Sequence, residues 1–186
     1  MPATADVARL KIRISVAPRA ADFPTEDDAV GEALLARVLA AEGKGFPPAL
    51  VVVRSEVVWT LDLRPFLRAG LPIDVVIASL AGMADVEAVA FLGGVTRRVA
   101  GEGEAERLAG VFVEWPDGRW WGCFQPVTAE ARWVATDSRE VLRARDGLAR
   151  PRGLGGWFSR ARFEGLRAQF DPAPDAPPPP DDGWVN

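Results

Sequence analysis

The sequence contains no histidine and no tyrosine, only one cysteine and only two lysines among its 186 residues. Without histidine, the chain cannot form a Ser-His-Asp or Cys-His catalytic relay from its own side chains. It also cannot form a histidine-ligated or thiolate zinc site, since Cys123 stands alone. Neither lysine lies in the glycine-rich context of a phosphate-binding loop. The remaining catalytic resources are Asp, Glu, Arg, Ser, Thr and Cys123, and the sequence indicates neither a metal nor a cofactor.

Long apolar runs are also missing. No run approaches the roughly 20 residues that span a bilayer, and the first residues lack the basic-then-apolar layout of a secretion signal. We therefore expect a cytoplasmic protein without a transmembrane segment. The formal net charge of −4 makes nonspecific binding to nucleic acid unfavourable. Arginine outnumbers lysine 20 to 2, which we attribute to a GC-rich genome.

The residue pattern predicts a single α+β domain over residues 9–170, between a flexible arm at 1–8 and a disordered tail at 171–186. Apolar and polar residues alternate over 9–16, which predicts a half-buried strand. Thr25 and the three acids after it predict the start of a helix over about 26–42. The β-branched runs at 50–53 and 57–63 predict two strands or one long bent strand.

The second half of the domain is predicted in the same way. Pro72 and Gly82 bracket a helix, and residues 86–99 form a strand in which Gly93-Gly94 marks a bulge or a close backbone approach. Residues 100–110 read as a polar connector. Pro116-Asp117-Gly118 is a strong hairpin signal between two β-rich runs. Helices are expected within 128–146 and from Ser159 to Phe170.

The predicted order is therefore β-α-β-β-α-β-β-β-α. Consecutive strands joined by short turns pair antiparallel. We expect a mostly antiparallel sheet of about five to six strands, packed by two to four helices.

Tryptophan supplies the first candidate binding surface. Trp115, Trp120 and Trp121 cluster at the predicted hairpin, and adjacent residues of a strand point to opposite faces of the sheet. Either one of these side chains is exposed and binds a partner or ligand, or helices cover both faces and all of them lie in the core.

An arginine-rich stretch supplies the second candidate. Residues 139–162 contain seven arginines against Glu140 and Asp146, a local net charge of +5. The members that we expect to bind a partner are Arg139, Arg143, Arg145, Arg160 and Arg162. This stretch is a solvated face, a surface for an anionic partner, or a docking site for the acidic tail of the same chain.

The tail supplies the third candidate. Residues 171–186 contain six prolines, and Pro177–Pro180 is a stiff spacer before Asp-Asp-Gly-Trp-Val-Asn. Trp184 in this acidic context resembles a docking peptide in design, in which acids steer and one aromatic side chain anchors. The alternative interpretation is an ordinary frayed terminus.

Carboxylate chemistry is the remaining option. Asp62 and Asp74, Glu114 and Asp117, and Asp85 and Glu87 are close in sequence, but acid–base catalysis needs two carboxyl groups at a set distance with separated pKa values. Our leading hypothesis is a non-enzymatic protein that binds another protein, as an accessory subunit, an adaptor or an immunity-type inhibitor. The alternatives are a small carboxylate hydrolase, which Mg²⁺ would assist, and a binder of anionic surfaces or nucleic acid through residues 139–162. Self-association is left open.

Overall fold

The computed structural model describes residues 14–20, 24, 26–39, 48–98, 105–126, 140–151 and 153–166. The strands are β1 (Ile14–Pro18), β2 (Ala49–Arg54), β3 (Val57–Asp62), β4 (Val86–Arg98), β5 (Ala105–Glu114), β6 (Trp120–Pro126) and β7 (Glu140–Arg143). The helices are α1 (Asp27–Leu39), α2 (Arg64–Arg68), α3 (Ile73–Ala81) and α4 (Trp157–Glu164), with a 3-10 turn at Ala144–Asp146. The predicted arm at 1–8 and tail at 171–186 lie outside the described residues.

The seven described strands form one antiparallel sheet in the order β1-β3-β2-β4-β5-β6-β7. This confirms the α+β fold class, with one strand more than expected. Alternate residues of each strand point to opposite faces, so the sheet divides the apolar core into two clusters. Val51 and Val53 of β2 face the cluster that contains α1 side chains, whereas Leu50 and Val52 face the cluster that contains α2, α3 and α4 side chains.

Several elements form where local chemistry predicts them. Pro72 caps α3 and Gly82 follows its last residue, as expected for a helix bracketed by proline and glycine. At the hairpin, the Gly118 N–H donates to the Trp115 carbonyl oxygen at 3.0 Å. Gly118 has a φ of +86°, a conformation that glycine adopts without steric cost. The two runs before Pro65 form separate strands, β2 and β3.

Tertiary pairing overrides the predictions in the second half of the chain. Residues 140–143 were expected in a helix but form β7, because each pairs with β6, from Phe124↔Glu140 to Trp121↔Arg143. Residues 105–110 were expected in a connector but extend β5, since they pair with residues 93–98 of β4. Both predictions are wrong because non-local hydrogen bonds outweigh weak local propensity.

The structure also decides two smaller expectations. Gly93 and Gly94 lie in an unbroken ladder, which excludes a bulge and leaves the close approach expected as the alternative. A Cβ at Gly93 would lie 2.9 Å from Phe91 Cζ, so close packing is the property that glycine provides there. Ser159 lies inside α4 rather than at its start, because Gly156 caps the helix and Gly165 (φ +64°) ends it before Phe170.

Candidate functional site

The hairpin tryptophans are buried. Trp115 and Trp120 are 6% exposed and Trp121 is 1% exposed. As the strand geometry predicts, Trp120 and Trp121 point into opposite clusters. The expectation of an exposed tryptophan surface is therefore wrong, and the core interpretation of these residues is correct.

Both clusters hold their tryptophans by specific packing. The Trp120 ring stacks on Phe112 with centroids 5.8 Å apart, and Trp157 of α4 meets the same Phe112 edge-on at 5.5 Å. On the opposite face, Gly31 of α1 lies directly over the Trp121 ring. These aromatic side chains join the helices to the sheet, which is a structural role.

Two arginines of the 139–162 stretch bind the first turn of α1. Arg143 Nε donates to Asp28 Oδ1 at 2.9 Å, and Arg145 donates to the other oxygen of the same carboxylate. Burial alone would raise the pKa of Asp28, but the hydrogen bonds and positive charges of Arg143 and Arg145 outweigh it and lower the pKa. In the same turn, Arg119 from the hairpin donates to Asp27 at 2.6 Å.

The other described arginines of the stretch are also engaged. Arg150 donates to Glu114 at 3.1 Å, and Arg160 pairs with Asp74 and, at 2.9 Å, with Glu164. Arg162 donates to the Pro116 carbonyl oxygen at 3.1 Å. Arg139, Arg152 and Trp184 lie outside the described residues. Internal ion pairs thus offset much of the local positive charge, which leaves less of it for an external anion than the sequence indicates.

Glu114 is the one charged side chain of the described residues that is almost fully buried, at 1% exposed. Its two oxygens accept the Gly156 N–H and the Trp157 N–H, each at 2.8 Å, at the start of α4. Burial raises the pKa of the Glu114 carboxyl, although these backbone hydrogen bonds and Arg150 act to lower it. The carboxylate thereby caps α4, where the helix dipole favours negative charge.

Each candidate catalytic carboxylate is paired with an arginine. Asp62 pairs with Arg64, Asp85 with Arg54, and Glu87 with Arg19, while Asp117 pairs with Arg119. Arg64 offsets the burial of Asp62 and lowers its pKa, which is opposite to the shift of a general acid. No group of three or more acidic or cysteine side chains that could hold a metal occurs in the described part of the chain. This arrangement gives the hydrolase hypothesis no support.

Two cavities open around the start of α1. One, of about 390 Å³, lies between α1, the start of β4 and the hairpin, with Val30, Val53 and Trp115 in its apolar lining and Glu87 and Arg119 at its polar side. The other, of about 270 Å³, lies among the arginines that bind Asp27 and Asp28. The charged groups at these cavities already have ionic partners: Glu87 pairs with Arg19, Arg119 with Asp27, and Arg143 with Asp28.

Phe163 is the feature that sequence reasoning missed. This side chain of α4 is 92% exposed, whereas Trp157 and Phe158 of the same helix are buried. The helical period carried the signal: Trp157 and Ala161 are four residues apart and share the buried face, while Phe163 falls on the opposite face. The predicted helix start at Ser159 left Trp157 out of α4 and hid the buried face that Trp157 and Ala161 share.

The chain matches no protein-family model, no curated protein sequence and no solved structure. None of the described helices is long and apolar enough to cross a membrane. The arguments for function therefore come from the geometry of this chain.

Proposed function

We propose that this protein is a non-enzymatic protein-binding module whose contact surface is the outer face of α4, centred on Phe163. A protein partner and a cytoplasmic location belong to the same proposal. The observation that carries it is the 92% exposure of Phe163. Aromatic side chains are enriched at protein interfaces because they supply a large apolar area with few rotatable bonds.

The surroundings of Phe163 support a rigid anchor. Trp157, Phe158 and Ala161 fix the other side of α4 against the sheet and α3. Glu114 accepts hydrogen bonds from the start of α4, and Arg162 of the same helix donates a hydrogen bond to the hairpin. Phe163 is therefore presented on a fixed support, and a fixed anchor loses little conformational entropy on binding.

The paired state of the carboxylates also favours binding over catalysis. A catalytic acid–base pair needs two carboxyl groups around one space, with their pKa values separated. Here each described candidate carboxylate is bound to an arginine or, for Glu114, also to a helix start. These ion pairs are expected to stabilise the fold.

The test is affinity capture from the native host with the wild-type chain, Phe163→Ser and Leu67→Ser. Leu67 of α2 is the matched control, since it is also an apolar helix residue and is 52% exposed. We expect a stoichiometric partner with the wild type and with Leu67→Ser, and its loss with Phe163→Ser. Because an exposed substitution changes stability by no more than about 0.5 kcal/mol, thermal unfolding of the three proteins should coincide. Equal capture by Phe163→Ser, or no partner with any of the three, contradicts the proposal.

A further inference from the structure

The outer face of α4 combines an apolar anchor with a cation. Phe163 is 92% exposed, and Arg162 beside it is exposed and donates to the Pro116 carbonyl oxygen. Arg160, two positions before Arg162, is already paired with Asp74 and Glu164. Within the described residues, Arg162 therefore donates its hydrogen bond to a neutral carbonyl oxygen, whereas Arg160 is paired with carboxylates.

The same chain contains a segment of complementary chemistry. Residues 181–185 read Asp-Asp-Gly-Trp-Val, with two acids followed by a large aromatic and an aliphatic side chain. We propose that this segment docks on the outer face of α4 of its own chain, with Trp184 against Phe163 and Asp181 or Asp182 beside Arg162. The inference rests on the proposed function, because the docked segment would cover the proposed partner surface and act as an autoinhibitory contact.

The connecting chain is long enough for this contact. Leu166 lies two residues after α4 and is the last described residue, and the acidic-aromatic segment begins 15 residues later at Asp181. Residues 167–176 reach about 33 Å when extended. The four prolines at 177–180 carry the chain about 12 Å in polyproline form. Residues 167–176 are therefore long enough to turn the chain back over α4.

The tether also favours the same chain over a second copy. A segment linked to its site acts at an effective concentration that reaches the millimolar range for short flexible linkers. That value exceeds the micromolar concentration of a purified protein in solution. A partner for α4 then has to compete with the tethered segment, so its affinity should rise when Trp184 is removed.

The experiment places the photoreactive amino acid p-benzoyl-L-phenylalanine at position 163 of the full chain, which retains an aromatic side chain there. The purified protein is irradiated at low micromolar concentration, and the adducts are mapped by peptide mass spectrometry. We expect an adduct within one chain to residues 181–185, with a yield independent of protein concentration. Trp184→Ala should lower this yield about tenfold, which corresponds to about 1.4 kcal/mol of lost contact. The same photoreactive residue at position 67 is the control and should give no adduct to this segment.

The outcomes separate this inference from the proposed function. Adducts between two chains, adducts to other parts of the chain, or a yield unchanged by Trp184→Ala would overturn the autoinhibitory contact. The same labelled protein is then irradiated in a lysate of the native host. An adduct of position 163 to another protein, without any adduct to residues 181–185 in the purified sample, overturns the inference and leaves the proposed function standing. Absence of both adducts overturns both.

Discussion

At the scale of single residues, Gly31 determines how closely α1 approaches the sheet. A Cβ at this position would lie 2.4 Å from two carbons of the Trp121 ring, well inside van der Waals contact. Glycine in a helix interior is about 1 kcal/mol less favourable than alanine. The close packing of α1 on Trp121 offsets that loss.

Gly31→Ala should therefore lower the free energy of unfolding by about 1–3 kcal/mol, the usual effect of overpacking a core. The measurement is equilibrium denaturation by urea. Ala36→Gly, at an exposed position of the same helix, is the control and should cost about 1 kcal/mol through helix propensity alone. A gain in stability for Gly31→Ala would show that α1 does not rest on Trp121.

The Asp28 carboxylate contributes stability that depends on pH. Its pKa is lowered in the folded protein by Arg143 and Arg145, so folding favours the ionised form. The contribution is present above the ordinary aspartate pKa of 3.8, and it is lost as the pH falls through the lowered value.

Asp28→Asn should cost about 0.5–1 kcal/mol at pH 7, since the ion pairs are partly exposed. The difference from wild type should shrink as the pH falls below 3.8. Thermal unfolding between pH 2.5 and pH 7 measures this trend. Glu56→Gln, an exposed acid in the turn between β2 and β3, is the control. A difference that stays constant over this range would exclude the ion pairs as its source.

At the scale of elements, Glu114 joins the end of β5 to the start of α4. Its side chain is almost fully buried, and its two oxygens accept backbone N–H groups of Gly156 and Trp157. Helix starts leave such donors without partners inside the helix. The position of α4, and with it the presentation of Phe163, therefore depends on a residue 42 positions away from the helix cap.

Glu114→Gln should destabilise the protein by about 1–3 kcal/mol, because the glutamine amide nitrogen cannot accept the second backbone N–H. The Trp157 amide should also exchange with solvent faster, which native-state hydrogen exchange measures at that residue. Glu164→Gln, at the exposed end of the same helix, should leave this exchange rate within about twofold, since an exposed ion pair contributes little. Unchanged protection of Trp157 in Glu114→Gln would contradict the capping role.

At the scale of the whole molecule, helices cover both faces of one antiparallel sheet. Cys123 lies on β6, between β5 and β7, and is 1% exposed beneath the α1 side of the core. This thiol is reached only when the sheet opens, so its reactivity reports on global unfolding.

Alkylation of Cys123 under native conditions should therefore be slow and should accelerate in parallel with denaturant-induced unfolding. Mass spectrometry of the alkylated protein measures the rate. The control is Ser159→Cys, which adds a thiol at an exposed position of α4 and should react quickly in the folded protein. Fast reaction of Cys123 at low denaturant would indicate that the region around β6 opens independently of the rest of the core.

The sequence by itself determined the features that depend on local chemistry. Gly118 adopts a positive φ at the 116–118 turn and Pro72 lies at the N-cap of α3. Strand alternation places Trp120 and Trp121 on opposite faces. The lack of histidine and the single cysteine excluded whole classes of catalytic site. These conclusions need only covalent structure and near neighbours, so no other part of the chain can change them.

Only the tertiary structure decided what depends on distant partners. Residues 140–143 form a strand because β6 supplies hydrogen bonds to them. The arginines of the 139–162 stretch form ion pairs with acidic residues of α1, α3 and β5. Burial of the tryptophans required helices on both faces, and exposure of Phe163 required α4 to turn its other side to the sheet. Burial and ion pairing are properties of residues brought together from far apart in the chain, and a local pattern does not specify which residues meet.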